Sequence, residues 1–148
     1  DLSSIPKAKN SSIERDLTEQ NIMTYATRRK LPILGICRGL QFINAYFGGK
    51  IIKVDKHRGL RHQVNIINDT PLSQISAEQM EVNSFHNLGL REFELGHSLK
   101  KMAIAHDNTI EGIFHESLPL IGIMWHPERE IVFNPIDIKL FQNLFRLI

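Results

Sequence analysis

Apolar and polar positions along the chain fall into short, sharply bounded segments. Ile13, Leu17, Ile22 and Tyr25 recur in a stretch that opens on Ser11 and Ser12, carries its acids early (Glu14, Asp16, Glu19) and its bases late (Arg28, Arg29, Lys30). Serine caps the free N–H groups of a helix start, and that order of charge suits the macrodipole, so the pattern predicts a helix over about 12–29. Residues 30–37, KLPILGIC, form a continuous apolar run of the kind found in strands covered on both faces, as in parallel sheets. From Arg38 to Phe47, Leu40, Ile43, Ala45 and Phe47 surround polar Gln41 and Asn44, a second helix that Gly48 and Gly49 stop. The basic segment 56–62, KHRGLRH, reads as a loop between Lys50 to Val54 and an alternating strand, Gln63 to Ile67. From residue 82 onward VNSFH, MAIAHD, TIEGIFHE and PLIGIMWH read as consecutive short strands. Ile136, Ile138, Leu140, Phe141, Leu144 and Phe145 follow Pro135 at helical spacing and predict a closing helix. There is no internal repeat or linker.

Composition narrows the class. With 148 residues, 42% hydrophobic and 23% charged, the chain has the balance of one soluble globular domain spanning residues 1–148. A net charge of +2, from 18 basic against 16 acidic residues, is too small and too mixed to form a nucleic-acid surface. The longest apolar runs, near 31–37 and 118–125, fall short of the ~18 residues that a membrane span needs. The opening residues do not read as a signal peptide. The single cysteine, Cys37, excludes an intrachain disulfide and the structural zinc sites that need two thiolates, and it suits a reducing, cytoplasmic setting. The chain opens at Asp1 on DLSSIPKAKNSS, a loop-like stretch, which leads us to expect that an N-terminal part precedes it.

The sharpest chemical signal is Gly35-Ile36-Cys37-Arg38-Gly39 at the junction of the first strand and second helix. This is the layout of a nucleophile elbow, in which the tight turn exposes its central residue and flanking glycines avoid collisions. Sulfur at a helix N-terminus gains from free N–H groups that favour thiolate, and the Arg38 N–H points where an oxyanion would form. The bland alternative is a buried cysteine acting as filler. Among seven histidines, His126 stands out because it ends an apolar strand and precedes Pro127 and Glu128. In an extended segment Glu128 projects to the same side as His126 and can hold its tautomer.

Other features are less decisive. His86, in a polar cluster with Asn83, Ser84 and Phe85, either shapes a substrate pocket or belongs to a capped turn. His57 and His62 with Asp55 could suggest a metal, but the surrounding basic loop argues against a cation. His106 and His115 read as structural, Arg129 and Glu130 as a solvated charge run. Lys53, Lys56, Arg58 and Arg61 read as a solvated basic loop, with a nucleotide phosphate as the alternative.

GICRGLQ (35–41) with MWHPE (124–128) resembles the class I glutamine amidotransferase superfamily, and VNSFH (82–86) with HRGLRHQVNI (57–66) resembles its γ-glutamyl hydrolase branch. Within that branch NSFHN, AHDNTIEGIFH and GIMWHPERE are most similar to bacterial enzymes that hydrolyse γ-glutamyl-CDP-amidate for capsule phosphoramidate. The resemblance implies an α/β, flavodoxin-like, mostly parallel sheet with helices on both faces, here without its first strands. It further implies Cys37 as nucleophile, His126 as acid and base, Glu128 as its orienter, and the Arg38 N–H as oxyanion donor. Gln41, Asn83, Ser84, Phe85 and His86 would hold the glutamyl group, with no metal or organic cofactor. An earlier Gly-Gly turn that gives members a second oxyanion donor, just before a position like Asp1, is not in the sequence. The implied partner is a small γ-glutamyl amide, and a homodimer is left open. Two other readings stand beside this one: a glutaminase subunit passing ammonia to a synthetase, and a non-catalytic γ-glutamyl-binding homologue.

Overall fold

The computed structural model describes residues 13–76 and 78–146. The proposed serine cap and the opening loop lie outside them. The elements run α1 (Ile13–Arg28), β1 (Ile33–Ile36), α2 (Arg38–Tyr46), β2 (Ile52–Lys53), β3 (Arg58–Ile66) and β4 (Gln79–Phe85). They continue with β5 (Leu88–Gly89), β6 (Leu99–Ala105), β7 (Ile110–His115), β8 (Leu120–Ile123) and α3 (Pro135–Phe145). Six strands form one sheet in the order β1-β8-β7-β6-β3-β4, and β2 pairs with β5 separately.

Helices cover both faces of the β1–β8 end, as a flavodoxin-like fold requires. Ile33 and Leu120 pack with Leu40 and Ile43 of α2, while Leu34, Ile36, Ile121 and Ile123 pack with Leu140 and Leu144 of α3. This is the period-two alternation of a strand sandwiched between two apolar layers. The strand directions correct the mostly parallel expectation: β1 and β8 are parallel, and every other pairing described in the sheet is antiparallel. A strand buried on both faces gives the same apolar run whichever way its neighbour points, so the pattern carried no information on direction.

Two further expectations change. The basic segment 56–62 is not a loop, because Arg58 to His62 belong to β3 and pair with Val82 to Phe85 of β4. In α1 the expected apolar face is turned out: Ile13, Leu17, Ile22 and Tyr25 are each more than half exposed, and Met23 and Ala26 are the buried positions. This helix packs against α2, held by the Arg38 side chain, which pairs with Asp16 at 2.7 Å and with Glu19. None of the described helices is long and apolar enough to cross a membrane.

Candidate active site

Cys37 sits between β1 and α2 with φ 48° and ψ −99°, a strained conformation for a non-glycine residue and the mark of an elbow. Its N–H donates to the Ile123 carbonyl at 2.7 Å, so β8 holds the turn from the side. Gly35 is required there, since a Cβ would stand 2.5 Å from Ile43 Cδ1 and 2.7 Å from the Gly39 carbonyl carbon. The steric argument does not extend to Gly39, whose own Cβ would meet nothing within 4 Å.

His126 lies just beyond β8, the parallel neighbour of β1, so both residues stand at the C-terminal ends of adjacent strands. That edge is where α/β sheets of this kind place their chemistry. His126 Nδ1 and Glu128 Oε1 are 2.6 Å apart, an arrangement in which Nδ1–H donates to the carboxylate and Nε2 is left to exchange a proton. The His126 side chain is 12% exposed and that of Glu128 is 53% exposed. Asn83 clamps the His126 backbone from both sides: its Oδ1 accepts from His126 N–H at 2.8 Å, and its Nδ2 donates to the His126 carbonyl at 2.9 Å. Phe85 meets the imidazole edge-on, with centroids 5.8 Å apart, and the Arg129 guanidinium lies 4.4 Å above the Phe85 ring.

The electrostatics correct one expectation. Burial pushes the Cys37 thiol above its ordinary value; the Arg38 N–H and the Arg129 guanidinium pull the other way, and Glu111 and Glu128 add to the rise. The helix start therefore does not by itself hold a thiolate, and the sulfur must lose its proton to a base when it attacks. The Arg38 N–H faces that sulfur, while the side chain is taken up by α1.

The residues expected to hold a glutamyl group are placed unevenly. Phe85 is 40% exposed beside His126. Gln41 is buried and donates Nε2–H to the Leu88 carbonyl at 3.1 Å. Asn83 spends its amide on His126 and on Glu130, 2.7 Å away. Ser84 is buried and donates to the His57 carbonyl, and His86 is buried against Leu88 and Glu111. Glu130 is not part of a solvated run, because Arg61 and Asn83 both bind its Oε1 at 2.7 Å. Asp55 is exposed, whereas His57 is buried beside Glu111 and Asp107. The sequence reading missed this last grouping because Glu111 sits inside an apolar run, TIEGIF, where a lone acid was the signal. His106 is exposed, and His115 Nδ1 accepts from the Ser117 and Leu118 N–H groups, a structural turn.

Fold and site together define a chain of the class I glutamine amidotransferase type, and residues 2–128 match the family described as Peptidase C26, to which the protein belongs. It is 38% identical over 137 residues to the γ-glutamyl-CDP-amidate hydrolase of Campylobacter jejuni, covering 93% of this chain and 62% of that protein. It is also 33% identical over 103 residues to component 2 of the anthranilate synthase of Saccharolobus solfataricus, covering 68% of this chain and 52% of the relative. A glutamine amidotransferase structure from Methylobacillus flagellatus shares the fold at a TM-score of 0.70 and 15% identity, over 84% of this chain and 49% of that one. The chain spans about three fifths of the length of the curated relatives it matches.

Proposed function

We propose that the protein hydrolyses a γ-glutamyl amide through a γ-glutamyl thioester on Cys37, without metal or organic cofactor in the chemical step. The observation that carries this reading is the pairing of a strained cysteine elbow on β1 with a carboxylate-bound histidine at the end of the parallel strand β8. His126 Nε2 takes the sulfur proton as Cys37 attacks the γ-carbonyl carbon. The oxyanion forms towards the Arg38 N–H. His126 returns the proton to the leaving nitrogen, the C–N bond breaks and the thioester remains. The same imidazole then deprotonates a water that attacks the thioester, the C–S bond breaks, and the proton goes back to sulfur with release of glutamate.

For the leaving group, the resemblance to the Campylobacter jejuni enzyme and a shallow surface beside His126, where Phe85 and Arg129 stand with Leu60 and the Arg61–Glu130 pair, favour an amide that carries a nucleotide phosphate, such as γ-glutamyl-CDP-amidate. A cationic guanidinium over an exposed aromatic ring suits such a group. A role in capsule phosphoramidate synthesis follows from that substrate. The second reading, a glutaminase component feeding ammonia to a synthetase, draws on the anthranilate synthase relative, itself one component of a larger enzyme.

Turnover measured across glutamine, γ-glutamyl amines, folate polyglutamate and γ-glutamyl-CDP-amidate decides between them. A stand-alone hydrolase prefers an N-substituted amide and needs no partner, whereas a glutaminase component works on free glutamine and is boosted by its synthetase. Cys37→Ala is expected to abolish turnover of whichever substrate is used, and full turnover by this variant would sink the reading.

A further inference from the structure

We propose that His57, His62, His86 and Glu111 form a binding site for one divalent transition-metal ion of the zinc type, buried behind the wall that carries Asn83 and Phe85. Glu111, on β7, is completely buried, and the His57 and His86 side chains are 2% exposed. His62, on β3, is 10% exposed at its side chain. A carboxylate withdrawn so far from water is costly unless a positive partner meets it.

His57, His62 and Glu111 each offer a ligand atom within 4.8 Å of the others, and His86 Nε2 adds a fourth beside Glu111. His57 Nδ1 and His86 Nε2 stand 3.2 and 3.3 Å from Glu111 Oε1, and His62 Nε2 stands 3.9 Å from Oε2. Four ligand atoms held ~2.0 Å from a tetrahedral ion lie about 3.3 Å from one another. Close as they are, His57 Nδ1, His86 Nε2, both nitrogens of His62 and both oxygens of Glu111 are buried without a well-aligned hydrogen-bond partner. Groups of this kind in a native interior call for an explanation, and an ion is one.

The outer nitrogens support the assignment. His57 Nε2 lies 3.2 Å from Asp107 Oδ2, and Asp107 is itself fixed by the Thr109 N–H at 3.0 Å and hydroxyl at 2.9 Å. His86 Nδ1 lies 3.0 Å from the Leu88 carbonyl. An imidazole whose far N–H is given to a carboxylate or carbonyl presents its lone pair on the near side, which is how metal-binding histidines are oriented. Two lone pairs facing a carboxylate repel one another until a cation stands between them. The charge also balances, since a +2 ion is matched by Glu111 and Asp107.

Three imidazoles and one carboxylate suit zinc and its neighbours rather than calcium or magnesium. Four protein ligands leave no open position, so the role is structural: the ion would pin the β3–β4 hairpin to β7. The basic residues that argued against a cation, Lys56 and Arg58, are exposed, and the acids come from β7 and the turn before it. The rival occupant of the same charge is a pair of protons.

The test uses protein carrying Cys37→Ala, so that thiolate and His126 do not compete, stripped with a chelator and titrated with Zn²⁺ or Co²⁺ alone. Expected are one zinc per chain, a Tm that rises with zinc, and a tetrahedral visible spectrum with cobalt. His62→Leu, at the most exposed of the four positions, should weaken binding at least tenfold, and His106→Ala should leave it unchanged. Glu111→Gln should also lose the ion, and should it fail to fold, His62→Leu decides. Absence of stoichiometric zinc, or zinc bound equally by His62→Leu, overturns the proposal. So does a stripped protein whose Tm rises as pH falls from 7 to 5.5 while zinc adds nothing, because protons then fill the cluster. None of these readouts depends on enzymatic activity.

Discussion

Under the proposed mechanism Cys37, His126 and Glu128 carry the chemistry. Glu128 acts only through His126, so Glu128→Gln keeps the shape but favours the wrong tautomer; by analogy with other triads we expect kcat to fall ~10²–10⁴-fold with a small change in KM. Cys37 rests as a thiol because burial raises it, and loss of a proton at higher pH produces the reactive form. Its alkylation by iodoacetamide should therefore be slow at pH 7 and reach half its plateau above the ordinary value of 9.0. Arg129→Ala removes a cation that lowers the thiol, so that midpoint should move further up; a midpoint that falls instead contradicts the assigned electrostatics. Cys37, His126 and Glu128 were legible in the sequence because a Gly-flanked cysteine and a His-Pro-Glu turn are local signatures. Asn83 was legible only as a polar residue near the site, since its bonds to His126 span the sheet and no local pattern records them.

The elements hold these groups through two devices at the β1–α2 junction. The first is close approach: in Gly35→Ala the new methyl would run into backbone at Gly39, which cannot move without shifting the helix start. We expect a loss of ~1–3 kcal/mol in denaturant unfolding together with reduced activity. The second is the Arg38 clamp on α1, whose partners Asp16 and Glu19 are about one quarter exposed at their side chains. Arg38→Met leaves the backbone N–H in place, so kcat should stay within a few-fold while amide exchange in α1 speeds up. A loss of kcat comparable to that of Glu128→Gln would instead give the guanidinium a part in the chemistry. The existence of α1, α2, β1 and α3 was readable from periodicity and punctuation. The buried face of α1 was not, because Ile13, Leu17, Ile22 and Tyr25 point outward and the helix is held by Met23, Ala26 and the Arg38 ion pairs instead. The second half of β3 was readable from the alternation of Gln63 to Ile67, but its first half was masked by Arg58 and Arg61, exposed charges on a stretch that pairing with β4 makes a strand.

At the scale of the whole molecule, the sheet brings a cysteine and a histidine 89 positions apart in the chain (126 less 37) to one edge, through a single parallel pairing. Strand direction was hidden from the sequence, because pairing is a property of two segments and burial of one. Class membership was not hidden, since the motifs at both ends of that pairing are intact and the family match covers them up to Glu128. The most direct test is to incubate the purified protein with an electrophilic glutamine analogue and read the intact mass. One adduct per chain, mapped to Cys37, lost in Cys37→Ala and slowed in His126→Ala, is the expected result; no adduct, or an equal adduct in Cys37→Ala, contradicts a γ-glutamyl site built on this cysteine.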